Sequence, residues 1–237
     1  MKLPNHDERV EALVQRVREL AVTSQTAHIG RTGGHHIVPR PGRKLDTSAL
    51  CHVLEIDPER RRCIAEPDVR FRELVRATLP LGLVPTVVPE LESISLGGAV
   101  AGFAAESTSF RHGGFFDSVD ELELISGKGE LLTLSPGHDP DAFHMLHGSC
   151  GTLGVITRLS FRLVPAQPFV RARYIRYRSF PEFHAALRAR CEAGDVDFID
   201  GIIHAPDHLT LCLGEYVARA PYVSDYRHED IYYKSTR

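Results

Sequence analysis

A chain of 237 residues, 43% hydrophobic and 25% charged, has room for one large domain or two ordinary ones and the composition of a soluble globular protein. Its formal net charge of −3 gives no reason to expect nucleic acid as a partner. The five cysteines are scattered without a CxxC pair, which reads as reduced thiols of a cytosolic protein and not as a disulfide frame or zinc site. No apolar run approaches the roughly 18 residues that span a bilayer, and the opening "MKLPNHDERVEAL" lacks the apolar core of a secretory signal. The expected location is the cytoplasm, with peripheral membrane contact as the alternative.

In chain order, "DERVEALVQRVREL" places Val10, Leu13, Val14, Val17 and Leu20 on one face, predicting an amphipathic helix opened by Asp7. "TAHIGRTGGHHIVPRPGRK" reads as a short strand running into a Gly/Pro/basic loop. "CHVLEI" and "RRCIAEP" flank Asp57-Pro58-Glu59 as a hairpin, and "VRFRELVRATLPLG" is a helix stopped by Pro80 and Gly82. "VDELELI" and "ELLTLS" form a second hairpin around Gly127-Lys128-Gly129. That turn has no GxxxxGK[ST] pattern and so is not a phosphate loop. "DPDAFHMLHGSCGTLGVITRLSFRLVP" predicts an N-capped helical turn, a glycine-punctuated bend and a long strand. Pro165 and Pro168 then mark a domain boundary. Beyond it lie a strand, "FVRARYIRY", a helix, "FPEFHAALRARCEAG", and two further strands, "DFIDGIIHA" and "HLTLCLGEYV".

Glycines gather at Gly30/Gly33/Gly34, Gly97/Gly98/Gly102 and Gly148/Gly151/Gly154, each between predicted strands and helices. Exposed backbone N–H groups at such places can cradle a diphosphate. None of the clusters fits GxGxxG in a strand–turn–helix context, which argues against a Rossmann site. Taken one at a time they read as tight turns. Together they suit a long, bent dinucleotide, which needs several separate backbone approaches.

The segments "RTGGHH", "VPELESISLGGAVAGFAAESTSFRHGGFFDSVDELELISGKGELL" and "DPDAFHMLHGSCGTLGVIT" stand in the order expected of the FAD-binding domain of vanillyl-alcohol-oxidase-type flavoproteins. Through "PELESISLGG", "ESTSFRHG", "SCGTLG" and "RLVPAQPFVRARY" the chain most resembles the delta(24)-sterol reductase (diminuto/seladin-like) branch of that superfamily, over most of residues 9 to 180. The resemblance implies an α+β, two-subdomain PCMH-type fold. Residues 1–56 and 57–166 would form the two flavin-binding subdomains, and 167–237 would begin an α+β cap that the chain leaves incomplete. FAD would be held along Ser95, Leu96, Gly97, Gly98, Gly102, Glu106, Ser107 and Ser109. The loop Gly30, Arg31, Thr32, Gly33, Gly34 and His35 would clasp the diphosphate from the other side. Gly151, Gly154, Val155 and Ile156 would line the adenosine end. The reaction implied is reduction of a carbon–carbon double bond in an apolar, sterol- or isoprenoid-like molecule, with NADPH reducing the flavin. The rivals are an oxidase of the same fold acting on an alcohol or sugar, and a flavin-binding module without full activity.

The chain departs from the family in its short N-terminal region, in the loop "HHIVPRPGRK" and in stopping within the cap. "RTGGHH" also resembles the RxGGH loop whose histidine is flavinylated in berberine-bridge-like oxidases, with His35 at the attachment position. The sterol reductase resemblance implies noncovalent FAD instead. His144 and His147, near His138 and Cys150, raise a metal site, but an i, i+3 pair without a carboxylate or CxxC reads as a solvated helical turn. "FVRARYIRYRSF" interleaves arginines with aromatics as single-strand nucleic-acid binders do, and equally suits an arginine-bearing strand of an antiparallel sheet. Glu55, Glu66, Glu106 and Asp117 are candidate carboxylates. No spacing pairs them as acid and base, and no catalytic residue is assigned.

Overall fold

The structure, a computed structural model, describes residues 5–23, 25–30 and 42–224. The first helix, α1 (His6–Val22), buries the five predicted apolar positions, Val10 to Leu20. Its cap is Asn5, two residues ahead of the expected Asp7. The Asn5 side chain accepts the Glu8 N–H at 3.0 Å while Glu8 accepts the Asn5 N–H at 2.8 Å, a reciprocal box that satisfies two otherwise orphaned donors. Asn5→Ala should therefore cost about 1 kcal/mol in urea denaturation. Asp7→Ala, which removes only an acidic group from the first turn, should cost a few tenths.

After α1, β1 (Ala27–Gly30) pairs in parallel with β2 (Arg43–Asp46), a strand in what the sequence presents as loop. Four residues with one buried apolar side chain, Leu45, are too short for a period-2 pattern to emerge. The hairpin β3 (Val53–Asp57) and β4 (Arg62–Ala65) forms as expected, with Asp57 ending the first strand and the turn at residues 58–61. It is followed by α2 (Phe71–Thr78), closed by a 3-10 turn and by Gly82 at φ +72°. Then come β5 (Leu83–Pro85), α3 (Leu96–Ala101) and α4 (Ser109–His112). The second hairpin is β6 (Val119–Ile125) with β7 (Leu131–Leu134), and α5 (Pro140–Met145) leads into the long β8 (Val155–Pro165).

Strand β8 is the spine of the larger sheet. It pairs antiparallel with β4, β6 and β5 in a six-stranded sheet of order β3-β4-β8-β6-β7, with β5 attached to the end of β8. The principal core lies between this sheet and α2, α3 and α5, around Phe71, Phe115 and Phe161. Phe115 meets the other two rings edge-on at 5.1 and 5.4 Å. A second cluster packs α1 against Leu45, Leu50, Ile125 and Val155. The C-terminal unit is separate in topology: β9 (Phe169–Tyr177), α6 (Phe180–Ala193), β10 (Phe198–Ala205) and β11 (His208–Val217) make a sheet of order β10-β11-β9. Helix α6 seals one face of it through Phe183 onto Ile199, Leu209, Leu211 and Leu213. Helices and antiparallel sheets in this segregated arrangement make an α+β fold. The arginines of β9 serve this sheet: Arg171 and Arg173 both reach Glu215 on β11, at 2.5 and 2.6 Å. No helix among the described residues is long and apolar enough to cross a membrane.

Candidate functional site: a glycine-lined junction

Two of the glycine clusters, remote in sequence, come together beside the end of β1, and Gly33 and Gly34 of the third lie outside the described residues. Helix α3 is capped by the Ser95 hydroxyl, which accepts the Gly98 N–H at 3.3 Å. Its core face is Leu96, Gly97, Ala99 and Val100, all buried. The other face carries only Ser95, Gly98, Ala101 and Gly102, so the helix presents nearly bare backbone on that side. The carbonyls of Val100 and Ala101 accept the N–H groups of Gly148 and Cys150, at 3.3 and 2.8 Å, laying the 148–151 bend along α3. Gly151 in turn lies beside Ile29 of β1, whose Cδ1 would stand 3.6 Å from a Cβ there. Gly30, at the end of β1, opens the Arg31–His35 loop, which lies outside the described residues.

The bend needs its glycines for backbone reasons. Gly148 and Gly151 have φ of +70° and +76°, the left-handed region that a Cβ disfavours, and beside Gly148 there is open space. Cys150 between them and Phe103 just after α3 hold the same conformation without being glycine, at φ +53° and +60°. Such residues cost about 1 kcal/mol or more and persist where the surroundings impose them, commonly at ligand sites.

Individual predicted residues fall into distinct roles. Leu96 and Gly97 are buried, and Gly97 is small because a Cβ would come within 2.8 Å of Pro67, whose carbonyl accepts its N–H at 2.8 Å. Val155 and Ile156 are buried in β8, and a Cβ at Gly154 would strike the Ile125 carbonyl at 2.5 Å. Gly98 and Gly151 are partly exposed and Gly102 and Gly148 exposed, so these four keep accessible backbone where α3 meets the bend. Further along, Glu106 N–H donates to the Ser109 hydroxyl at 2.8 Å, and the Glu106 carboxylate accepts the Glu90 N–H at 3.1 Å. Burial raises the Glu106 carboxyl. The Glu90 N–H opposes this, but the charges of Glu90 and Asp200 add to the rise. The Ser107 carbonyl accepts the Ile199 N–H of β10 at 2.9 Å.

His147, expected on a solvated turn, is instead sandwiched between Phe103 and Phe116, with ring centroids at 4.2 and 4.6 Å and near-parallel planes. Burial pushes its pKa down. Asp117 partly opposes this and His144 adds to it, so the ring is neutral near pH 7. Its Nε2, like Nδ1 of His28 on β1, is buried without a hydrogen-bond partner among the described residues. Such orphaned polar atoms call for an explanation. The His147 Nε2 lies toward Gly114, 3.8 Å from where a Cβ would stand, and His28 is on the strand face opposite Ile29, so neither atom faces the junction. Bare backbone on α3 and the left-handed bend at 148–151 fit a ligand approached by backbone, as a flavin dinucleotide is. Sequence reasoning had no access to Glu90, Arg111, Phe116 or Asp200, whose partners lie far along the chain.

The family described as the FAD binding domain matches residues 2–135, more than half of the chain. Delta(24)-sterol reductase of Homo sapiens is 26% identical over 216 residues, covering 88% of this chain and 42% of that protein. The Arabidopsis thaliana delta(24)-sterol reductase is 26% identical over 233 residues, 90% of this chain and 41% of that protein. Cytokinin dehydrogenase 9 of Oryza sativa subsp. japonica is 32% identical over 131 residues, 55% of this chain and 25% of that protein. The chain thus spans about two fifths of the length of the sterol reductases it matches. With its α+β architecture and its converging glycine segments, the chain belongs to the FAD binding domain family.

Proposed function

We propose that this chain is the flavin-binding part, with the opening of a cap, of an FAD-dependent oxidoreductase that reduces a carbon–carbon double bond in an apolar, sterol- or isoprenoid-like molecule. NADPH would be the electron donor. The observation that carries the flavin assignment is the junction of α3, the 148–151 bend and the end of β1. The reductase assignment is supported by similarity to delta(24)-sterol reductases along nearly the whole chain, whereas the dehydrogenase similarity covers little more than half of it. Residues 1–56 and 57–166 are taken as the two flavin-binding subdomains and 167–237 as the start of the cap.

Bound FAD would supply hydride transfer through its N5 position, with the protein providing orientation and electrostatics. Gly98, Gly102 and Gly151 would let backbone approach the diphosphate and ribityl chain. Ser107 and Ser109 would offer hydroxyls, and the Arg31–His35 loop would clasp from the opposite side. The C-terminal sheet turns its uncapped face, with Asp200 on β10 and Cys212 on β11 in register, away from α6. Burial and then Asp200 push the Cys212 thiol up to about 11, so it is protonated at neutral pH.

The test begins with the purified chain, which should be yellow. Acid precipitation should release the chromophore into the supernatant, unchanged by His35→Ala, as noncovalent attachment requires. A pellet that stays yellow in wild type but not in His35→Ala would make the linkage covalent. Anaerobic NADPH should bleach the flavin. Peroxide release with a small alcohol or sugar, and no bleaching by NADPH, would replace the reductase reading with an oxidase.

A further inference from the structure

We propose that Arg111 is a positioning residue that seats the C-terminal sheet on the cofactor-binding turn, so that FAD binding and docking of this sheet are one coupled equilibrium. The inference rests on the flavin reading above. Its basis is that one short stretch, Glu106 to Arg111, carries the Ser107 and Ser109 hydroxyls expected at the flavin and also makes the polar contacts that hold the C-terminal unit.

Arg111 Nη2 donates to the carbonyls of Gly194 and Val196, both at 2.8 Å, where the chain leaves α6. Its Nη1 stands 3.6 Å from Asp197 Oδ1. The same Asp197 accepts the Tyr216 N–H at 2.7 Å, so the guanidinium is tied to both β10 and β11. Beside it, Ser107 C=O accepts the Ile199 N–H at 2.9 Å, and Phe110 packs against the apolar cluster of the C-terminal unit. A planar fork can hold two carbonyls and a carboxylate at once, which a lysine ammonium cannot do in the same geometry.

The turn that carries these groups is stiff. Ser109 N–H donates to the Glu106 carbonyl at 2.8 Å, Glu106 N–H donates to the Ser109 hydroxyl, and the Thr108 hydroxyl donates to the Thr86 carbonyl at 2.8 Å. A ligand that orders Ser107 and Ser109 therefore also orders the platform on which Arg111 and Phe110 stand. Reciprocally, a docked sheet lowers the ordering cost of the flavin.

Hydrogen–deuterium exchange and flavin titration of the full chain test this. In wild type, FAD should slow exchange in β10 and β11 as well as at residues 95–109. Arg111→Ala should abolish the β10 and β11 response and weaken FAD binding about tenfold, a typical coupling between sites. Arg111→Lys should recover only part of it. Arg190→Ala is the control: Arg190 pairs with Asp195 at 2.7 Å within the C-terminal unit and has the same exposure, 38%, as Arg111. It should leave FAD affinity unchanged. Flavin binding without any change in β10 or β11 exchange would overturn the coupling while leaving the flavin reading intact. So would an Arg190→Ala defect equal to that of Arg111→Ala. A wild-type chain that takes up no flavin would defeat both.

Discussion

Replacing Glu66 by alanine should cost about 3–5 kcal/mol of folding stability, the loss expected when one member of a buried ionic group is removed and its partners are left behind. Glu66 has no exposed side-chain surface. Its Oε1 is 2.7 Å from His6 Nδ1 and 2.5 Å from Arg9 Nη2, and its Oε2 is 2.8 Å from both the N–H and Nδ1 of His52. The carboxylate thus pins α1 to the end of β4, and His6 extends the network to Glu123 of β6, 3.4 Å away. Arg9 and His6 are themselves mostly buried, so truncation strands the Arg9 charge and the hydrogen-bonding groups of both in a site that water reaches poorly.

Burial works against the charged form of Glu66, but hydrogen bonds from His6, Arg9 and His52 outweigh it and hold the carboxyl below the ordinary range. A depressed folded-state pKa means that the unfolded chain takes up the proton first as pH falls. The stabilisation is fully present above the ordinary carboxylate pKa and is lost as pH drops through the lower folded value. Urea midpoints measured from neutral pH downward should fall more steeply for wild type than for Glu66→Gln, which cannot titrate. Parallel curves would remove Glu66 from the account of acid stability.

Gly98→Val should largely empty the protein of flavin without unfolding it. Gly98 is in the third position of α3 on its bare face, with its N–H on Ser95 and its carbonyl accepting the Gly102 N–H at 2.8 Å. In the helix, valine is intrinsically no worse than glycine, so local stability should hold. On the proposed placement, the added side chain would occupy the space through which the cofactor reaches backbone. Steric insertion into a fitted site costs about 1–3 kcal/mol, which is about a fivefold to hundredfold loss of affinity. Gly137→Ala, at a turn where a Cβ meets nothing within 4 Å, should bind as wild type does. A folded Gly98→Val protein with undiminished flavin would move the cofactor away from α3.

Much of the architecture follows from local pattern. The five apolar positions of α1, the two hairpins, the stop at Pro80 and Gly82 and the strand–helix–strand–strand order after Pro168 are each written in periods of 3.6 or 2 and in turn residues. These signals act over a few residues, so one segment suffices to read them. The flavin family was legible for a related reason: its cofactor is approached by backbone, and the glycines this demands stand in fixed short runs. Where local signals conflict with burial, tertiary structure decides. The paired glycines at 97 and 98 speak against a helix, yet α3 forms because Leu96, Ala99 and Val100 reach the core and Ser95 caps the end. Strand β2 exists only because β1 lies beside it.

The same distinction separates the parts of the site. Gly98 and Gly151 can be named from sequence, but the packing of Gly97 on Pro67 and the His147 stack depend on partners tens of residues away. Glu66, one carboxylate among many in the sequence, becomes the anchor of α1 only when folding brings His6, Arg9 and His52 around it. Arg111 is a surface arginine until the end of α6 arrives beneath it, 83 residues further along the chain. A side chain's chemistry is carried by its own atoms and can be read one residue at a time. Its role depends on desolvation and on the groups within a few ångströms, and only the closure of long loops sets those.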